Sequence, residues 1–233
     1  MIEDLDFETY LYISKDKFQI FVLNKKKLKN LYSQELKIDH QFDFKDLNKL
    51  LNFLDKNIYK IEKLIGNFIK NIILIVENEK NLKINMGIKK SYETSLKQKS
   101  FSSNLTELKD LFKKNYQDQT IMHMCIINYI IDGKRYSSFD TKLINDYFCI
   151  EVSFIAIDNK LVFAFDNVLE KYQIKIKQYM CGNYINNFIG DTGDEISIIA
   201  NKLRNGLNIN EITIVPKHKE NKGFFEKFFQ LFS

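Results

Sequence analysis

The chain has 233 residues, of which 45% are hydrophobic and 14% aromatic, a composition rich enough for a packed core and unlike that of a disordered chain. Its formal charge of +5 comes from lysine, because arginine occurs only at Arg135 and Arg204. Arginine is the side chain best suited to bidentate recognition of bases and phosphates. The composition therefore disfavours a sequence-specific nucleic-acid-binding protein.

No cluster of residues in the sequence points to catalysis or to a bound metal. The three cysteines, Cys125, Cys149 and Cys181, are odd in number and far apart, which indicates neither a disulfide framework nor a zinc site. His123 lies in an apolar run between two methionines, so we expect a buried histidine with a partner rather than a ligand. The sequence also lacks phosphate-loop and hydrolase motifs. We therefore expect no catalytic residue, no metal and no cofactor.

The first part of the chain predicts a β-meander and then a long helix. Apolar residues alternate with others through 8–14, 17–24 and 28–36, as in strands that bury one face. Asp43 is placed to cap the amino end of a helix that continues to about residue 68. The apolar residues that recur there at helical spacing are Phe44, Leu47, Leu50, Leu51, Leu54, Ile58, Ile61, Leu64, Ile65 and Phe68.

The remainder contains both strands and helices, so the elements together predict an α+β protein. Ser102 to Asn104 supply a helix cap, and Asp132-Gly133 is a hairpin signal after a long apolar run. The predicted strands are 70–77, 81–92, 119–131, 147–157, 173–179 and 210–215, and the predicted helices are 105–115, 158–172, 183–188 and 194–205.

The last eleven residues, 223–233, have a strongly one-sided pattern. Five phenylalanines recur at helical spacing, so a helix would place all of them on one face. The segment follows a lysine-rich connector, 216–222, which is more typical of a tail that docks elsewhere than of a core helix. The three candidate docking sites are a membrane surface, a groove on a partner protein and the chain's own domain.

We expect the membrane surface to be the docking site of this tail. The amino terminus lacks a signal-peptide pattern and the sequence lacks an apolar run long enough to span a bilayer, so we expect a cytoplasmic protein, peripheral on the inner face of the plasma membrane. The residues expected to contact the membrane are Phe224, Phe225, Phe228, Phe229, Leu231 and Phe232, with Lys217, Lys219, Lys222 and Lys227 attracted to anionic lipid.

Several segments resemble FtsA, the bacterial cell-division homologue of actin. The run 121–133 is similar to a strand of that family with the pattern hydrophobic-x-His-hydrophobic and a later hydrophobic-Asp-Gly, and 151–157 is similar to the next strand. The segments 159–172 and 172–177 resemble the family's amphipathic helix and the run that follows it, and 43–76 resembles an upstream long helix and strand. FtsA proteins also end in a basic linker and a phenylalanine-rich amphipathic membrane anchor.

The sequence departs from FtsA at the nucleotide site. FtsA has two glycine-rich phosphate loops, and the first would fall at 12–17, where Tyr12 replaces the expected aspartate and the glycine is missing. Glycines let backbone N–H groups approach phosphate closely, so we expect no nucleotide at this loop. The second loop is not found after residue 182, where 51 residues remain, too few for the second actin lobe. The run Asp191-Thr-Gly-Asp194 is a short phosphate-loop-like pattern that is common in turns.

The resemblance implies a reduced FtsA with an α+β fold. It would comprise a truncated actin-like first lobe, an inserted strand-helix-strand-strand domain and a C-terminal amphipathic helix. The segments are 1–69 for the meander and long helix, 70–182 for the inserted domain and the return to the lobe, 183–215 for a short α/β segment, 216–222 for the basic linker and 223–233 for the membrane-targeting helix.

The resemblance implies a non-catalytic adaptor that tethers division proteins to the inner membrane. In FtsA the inserted domain contacts later division proteins and neighbouring subunits, and the second lobe supplies much of the contact with the tubulin-like FtsZ. The expected partners are therefore FtsZ or later septal proteins, an anionic membrane surface and further copies of the chain. Two other functions stay open, a degenerate actin-like ATPase that binds nucleotide and a lysine-driven, non-specific nucleic-acid binder.

Overall fold

A computed structural model describes residues 7–39, 42–44, 46–91, 98–131, 133–137, 147–190 and 193–212. The chain divides into two units. Unit 1 consists of Met1–Asn81 and Asp158–Leu207, and unit 2 consists of Leu82–Ile157 together with the residues from Asn208 onward. Each unit contains a sheet and at least one helix, so the predicted α+β class is confirmed.

The elements follow one another in the order expected from the sequence. In chain order they are β1 (Phe7–Ile13), β2 (Lys17–Asn24), β3 (Lys29–Lys37), α1 (Asn48–Ile65), β4 (Asn71–Val76), β5 (Leu82–Ser91), α2 (Gln98–Asn115), β6 (Gln119–Ile131), β7 (Lys134–Tyr136), β8 (Tyr147–Asp158), α3 (Asn159–Glu170), β9 (Lys175–Cys181), α4 (Gly182–Asn186) and α5 (Ile196–Arg204).

Unit 1 is built on a mixed five-stranded sheet with the order β3-β2-β1-β4-β9. The first three strands form an antiparallel meander, whereas β4 pairs in parallel with β1 and β9 pairs in parallel with β4. Parallel strands that are covered on both faces have continuous apolar sequences, and β4 accordingly buries every residue from Ile72 to Val76.

Helices cover both faces of this sheet. On one face α4 and α5 pack against alternate strand residues, with Ile185, Ile199 and Leu203 in the same apolar cluster as Tyr12 and Ile75. On the other face α1 packs on β2, where the ring centroids of Phe53 and Phe18 lie 5.9 Å apart. Helix α3 is linked to α1 through the Tyr172 hydroxyl, which donates to Asp55 Oδ1 at 2.6 Å.

Unit 2 contains a four-stranded sheet with the order β5-β8-β6-β7. β5 and β8 pair antiparallel over ten residues, and α2 covers one face of the sheet. The rings of Phe112 in α2 and Phe154 in β8 stack at 4.7 Å. The segment after α5 returns to this unit, since the N–H of Ile212 donates to the carbonyl of Met124 at 2.8 Å. The described part of the predicted strand 210–215 thus forms a short bridge to β6.

The predicted caps of the two long helices are wrong. Asp43 does not cap α1, which begins five residues later without a side-chain cap, because the chain first buries Phe42 against Phe18 at a ring distance of 4.7 Å. Helix α1 ends before Gly66, which has a left-handed φ of 70°. Helix α2 begins at Gln98, so 102–104 lie within it rather than before it. Helical periodicity located both helices but not their first turns.

Candidate functional site

The carboxyl ends of the three parallel strands of unit 1 meet at one edge of its sheet. β1, β4 and β9 are followed there by Ser14, Glu77 and Gly182. In open α/β sheets, ligands bind outside this edge, where the loops leave the strands. The side chains at this edge therefore form the candidate site.

Glu77 is the centre of a hydrogen-bonded group that joins two strands and a helix. Its Oε2 accepts a hydrogen bond from the hydroxyl of Tyr12 at 2.6 Å and another from Nδ2 of Asn186 at 2.6 Å. Its backbone N–H donates to the carbonyl of Ile13 at 2.8 Å. One carboxylate thus ties β1, β4 and α4 together at this edge. We call the group the strand-end cluster, and its members are Tyr12, Ser14, Asp16, Glu77 and Asn186.

The turn between β1 and β2 is closed by its own groups. Ser14 Oγ donates to Asp16 Oδ1 and accepts a hydrogen bond from the N–H of Lys17 at 3.2 Å. The N–H of Ser14 donates to the carbonyl of Lys17 at 3.0 Å. A phosphate loop binds its ligand through backbone N–H groups that point outward. In this turn two of those N–H groups are already bonded inward.

The Tyr12 hydroxyl of the strand-end cluster stays protonated beside the carboxyl group of Glu77. Burial raises the pKa of Tyr12, and the hydrogen bond to Glu77 and the charge of that carboxylate raise it further, so the hydroxyl remains a donor. The hydrogen bond from Ser14 lowers the pKa of Asp16, which is therefore ionised at neutral pH. Beside them Lys15 Nζ lies 3.0 Å from Glu79 Oε2. A polyphosphate that approached this edge would meet the carboxylates of Glu77 and Asp16 as well as the Lys15–Glu79 pair.

Gly182 brings β9 and α4 against the end of β4. A Cβ at this position would lie 2.8 Å from the Cβ of Glu77 and 3.1 Å from its Cα. Glycine is therefore needed here for the close approach of two chain segments. That approach fills the space directly beyond β4.

The phosphate-loop-like run before α5 is described only at its end. Gly193 has a φ of 64°, and Asp194 Oδ2 lies 2.6 Å from Lys202 Nζ in the following helix. The acidic residue that ends the run is thus paired with a lysine of the protein. This geometry agrees with a turn that leads into α5.

The buried histidine of unit 2 has a hydrogen-bonding partner, as the sequence predicted, although the sequence did not show which residue the partner is. His123 Nδ1 lies 2.6 Å from Glu211 Oε1, and the histidine is 1% exposed. Glu211 reaches it because its backbone forms a bridge with Cys125 at the edge of β6. The prediction of a satisfied, buried histidine is confirmed. The pair fastens residues 208–212 to unit 2.

An open depression of about 340 Å³ lies on the face of the unit 2 sheet that α2 does not cover. Glu151 lines it and accepts a hydrogen bond from Asn128 Nδ2 at 2.7 Å, and Arg135 Nη2 lies 3.7 Å from its other oxygen. Gly87 lies opposite Glu151 on the neighbouring strand and leaves the carboxylate accessible. The charges of this depression are paired with each other.

Some of the remaining expectations from the sequence concern residues that the structure describes, and others concern residues that it does not describe. In the described part of the chain, no three histidine, cysteine, aspartate or glutamate side chains are grouped so as to hold a metal ion. No helix within the same residues is long and apolar enough to cross a membrane. The predicted membrane-contact residues lie outside the described residues, as does the connector before them; they are Lys217, Lys219, Lys222, Phe224, Phe225, Lys227, Phe228, Phe229, Leu231 and Phe232.

Sequence reasoning located three of the five members of the strand-end cluster. It singled out 12–17 because a glycine was missing, but it did not identify Glu77 or Asn186 as partners of Tyr12. One signal was available for Glu77, which directly follows an uninterrupted apolar strand, where polar side chains of parallel sheets converge. Asn186 gave no comparable signal, because its role depends on how α4 folds back.

No family model matches the chain, and no curated protein matches it. Solved structures do match. A PilM–PilN type IV pilus biogenesis complex matches at 7% identity and a TM-score of 0.47, over 78% of this chain and 49% of that one. The cytoplasmic domain of EpsL, an inner membrane component of the type II secretion system of Vibrio cholerae, matches at 8% identity and a TM-score of 0.33, over 75% and 55%.

A third matching structure is a Bacteroides thetaiotaomicron protein with an actin-like ATPase fold and unknown function. It matches at 15% identity and a TM-score of 0.31, over 81% of this chain and 58% of that one. This chain therefore spans between 49% and 58% of the length of the three structures. All three TM-scores are below 0.5, and these likenesses carry no conclusion about what the chain does.

Proposed function

We propose that the chain is a non-catalytic adaptor that tethers proteins of the division machinery to the inner face of the plasma membrane. The observation that carries this proposal is the strand-end cluster. Tyr12, Glu77 and Asn186 occupy, with hydrogen-bonded side chains, the edge at which an actin-like protein would hold a nucleotide. Hydrogen bonds to a charged group contribute about 1.5–3 kcal/mol each, so a ligand that displaced both donors would bind against a substantial loss.

The arrangement of the chain supports the actin-like, FtsA-type part of the proposal. The antiparallel meander of unit 1 continues into parallel strands, and the chain leaves this unit after Asn81 and returns to it at Asp158. Between those two points lie β5, α2, β6 and β8, in the order strand, helix, strand, strand, with β7 as an additional short strand. This order is the one that the resemblance to FtsA implies for an inserted domain.

The membrane part of the proposal is supported by the sequence of the tail. In a helix, five phenylalanines and Leu231 would lie on one face, and four lysines flank or interrupt them in the sequence. A single interfacial helix of this length binds weakly, because ordering eleven residues opposes the partial burial of its apolar face. Firm attachment is expected when several copies act together. The proposed protein partners are FtsZ or later septal proteins, and the chain itself.

Nucleotide titration tests the non-catalytic part. Calorimetric titration of the full chain with ATP and Mg²⁺ should give no binding isotherm. A second titration uses Glu77→Gln, which keeps the shape of the side chain and removes its charge. It distinguishes repulsion of the nucleotide by the carboxylate from steric blockage of the edge by the side chains. Clear micromolar binding by the parent chain would overturn the proposal in favour of a degenerate ATPase.

Vesicle sedimentation tests the membrane part. Phe225→Glu with Phe228→Glu places two charges in the apolar face and should release the chain from vesicles that contain phosphatidylserine. Gln230→Glu with Ser233→Glu adds the same charge outside that face and is the matched control. Sedimentation of the phenylalanine double variant to the same extent as the parent would contradict anchoring by the tail.

A further inference from the structure

Three segments of unit 1 meet at the edge of its sheet opposite the strand-end cluster. The β2–β3 turn lies there because Asn24 pairs with Phe7, at the amino end of β1. The α1–β4 and α3–β9 connections reach the same edge, since Asn71 pairs with Lys175 at the start of two parallel strands, and the N–H of Lys175 donates to the carbonyl of Lys70 at 3.0 Å. We name residues 24–29, 62–70 and 170–175 the amino-edge loops.

The amino-edge loops concentrate the positive charge of the chain. They contain eight lysines and two glutamates, a net charge of +6, whereas the whole chain has a net charge of +5. One of the two glutamates is engaged locally, because Glu62 Oε1 accepts a hydrogen bond from the N–H of Ile69 at 3.1 Å. A cationic field therefore lies over one edge of one unit. All eight lysines are exposed; they are Lys25, Lys26, Lys27, Lys29, Lys63, Lys70, Lys171 and Lys175.

Three apolar side chains project among these lysines. Leu28 is 41% exposed, Leu64 54% and Phe68 79%. Leu28 also has a φ of 47°, a left-handed conformation that is unfavourable for a residue with a Cβ. Glycine or asparagine would close such a turn with less strain. The leucine instead presents an apolar side chain at the tip of a hairpin whose other exposed side chains are lysines.

We propose that the amino-edge loops form a second membrane contact, an interfacial surface for anionic lipid; this rests on the proposed function, in which the chain acts at a membrane. Lysine ammonium groups pair with lipid phosphates, while short apolar side chains between them enter the headgroup layer. Each lysine close to an anionic membrane strengthens binding about fivefold. The loops thus add to the weak attachment that one tail provides.

The side chains of these loops fit lipid better than nucleic acid. The loops contain no arginine, which is the residue that pairs bidentately with phosphate and guanine. Binding of single strands relies on aromatic side chains that stack on bases. Tyr172 is held by Asp55, which leaves Phe68 as the one exposed aromatic side chain of the amino-edge loops. An exposed leucine at a basic tip has a role in a bilayer and none on a phosphate backbone.

A tryptophan reporter tests insertion directly, because the chain contains no tryptophan. In the full chain, Phe68→Trp should show blue-shifted emission with phosphatidylserine-containing vesicles and no shift with pure phosphatidylcholine. Tyr59→Trp is the matched control, since Tyr59 is 72% exposed on the middle of α1. If the chain sediments with the anionic vesicles while the emission of Phe68→Trp stays unchanged, the amino-edge contact is overturned and the tail anchor stands.

Charge substitutions test the electrostatic half of the contact. Lys25→Gln, Lys27→Gln and Lys29→Gln together should weaken binding to phosphatidylserine vesicles at least tenfold at low salt. The control removes three lysines near the opposite edge and lowers the net charge equally; it combines Lys15→Gln, Lys49→Gln and Lys80→Gln. Equal weakening by the two triple variants would show that net charge alone matters, and would contradict the proposal. The proposal would also be contradicted if the triple variant of Lys25, Lys27 and Lys29 lost binding to duplex DNA but kept its affinity for vesicles.

Leu28→Gly separates lipid contact from folding. Glycine relieves the left-handed strain, so the melting temperature should not fall. Vesicle binding should nevertheless weaken severalfold, because the apolar tip is gone. The same comparison is made in a chain whose tail carries Phe225→Glu and Phe228→Glu. If that chain still binds vesicles in a salt-sensitive manner and Leu28→Gly reduces this binding, the amino-edge contact is supported even if the tail does not anchor the chain. Unchanged vesicle binding in Leu28→Gly would contradict insertion of the tip.

Discussion

The two edges of the unit 1 sheet each contain a buried or half-buried carboxylate, and they use it differently. At the carboxyl edge, Glu77 accepts hydrogen bonds from the uncharged donors Tyr12 and Asn186. At the amino edge, Glu8 forms an ion pair with Arg204, whose Nη1 lies 2.6 Å from its Oε2. The first arrangement places a carboxylate at the edge where open α/β sheets bind ligands. The second neutralises its charge inside the unit, below loops rich in lysine.

The two edges of the sheet therefore present different chemical groups to their surroundings. At the carboxyl edge, the hydrogen bonds of Glu77 with Tyr12 and Asn186 fix the positions of these side chains. The Glu77 carboxylate also disfavours binding of an anion beside it. At the amino edge Glu8 and Arg204 join β1 to α5, so the lysines of the surrounding loops determine the charge of the surface.

The largest expected effect comes from breaking the ion pair of the amino edge. Arg204→Met leaves the half-buried Glu8 with only Lys177 as a cation, 3.9 Å from its Oε1, and we expect the free energy of unfolding of unit 1 to fall by about 2–3 kcal/mol. The chain's other arginine supplies the control, because Arg135 is 69% exposed and 3.7 Å from its carboxylate. Arg135→Met should change stability by about 0.5 kcal/mol or less. Urea denaturation measures both, and equal losses would show that Arg204 has no special role.

Overfilling the carboxyl edge should have the next largest effect. Gly182→Ala places a methyl group 2.8 Å from the Cβ of Glu77, so a backbone segment must shift, and we expect a loss of about 1–3 kcal/mol. Gly190→Ala is the control, because nothing lies within 4 Å of a Cβ at that position. Thermal melts of the two variants compare them. If Gly182→Ala loses no more stability than Gly190→Ala, the close packing of Gly182 against Glu77 is contradicted.

Removing one hydrogen bond of the strand-end cluster should have a smaller effect. Tyr12→Phe deletes the donor to Glu77 and keeps the ring, so we expect a loss of about 1 kcal/mol. Tyr59→Phe, at a tyrosine that is 72% exposed, should leave stability unchanged. Denaturation with urea is again suitable. If Tyr12→Phe matches the control, Glu77 is held by its other contacts alone.

The smallest expected effect is a difference in acid sensitivity. Burial raises the pKa of Glu8, but the charge of Arg204 and hydrogen bonds from Tyr10 and Arg204 outweigh it and lower the pKa below 4.5. A lowered pKa stabilises the native state above the unfolded value, and this stabilisation is lost as the pH falls through the folded value. Melting temperatures between pH 7 and pH 3 should therefore fall more steeply below pH 4.5 in the parent than in Glu8→Gln. Parallel curves would contradict the role of the pair.

Local patterns in the sequence predicted the elements of this fold well. The strand at 17–24 follows from its alternation, and the helix that packs on it follows from apolar residues at helical spacing. The start of that helix was predicted at Asp43, because a cap residue is recognised locally, whereas the burial of Phe42 against Phe18 depends on tertiary packing. Boundaries therefore failed where distant residues determine them.

The candidate site was harder to predict because its members are far apart in the chain. Tyr12 and Glu77 are 65 residues apart and meet only because β1 and β4 pair in parallel. His123 and Glu211 are 88 residues apart and meet through a short bridge at the edge of β6. The order of strands in a sheet is not encoded in any local pattern, so the sequence predicted that His123 has a partner without indicating which residue it is.

Hydrogen exchange of backbone amides, measured on the full chain with ATP and Mg²⁺ and separately with phosphatidylserine vesicles, tests the contrast between the two edges most directly. The account predicts that vesicles slow exchange in residues 24–29 and 66–70, and that ATP leaves exchange in residues 14–17 and 77–81 unchanged. Slower exchange of 14–17 and 77–81 with ATP, together with no effect of vesicles on 24–29 and 66–70, would contradict it.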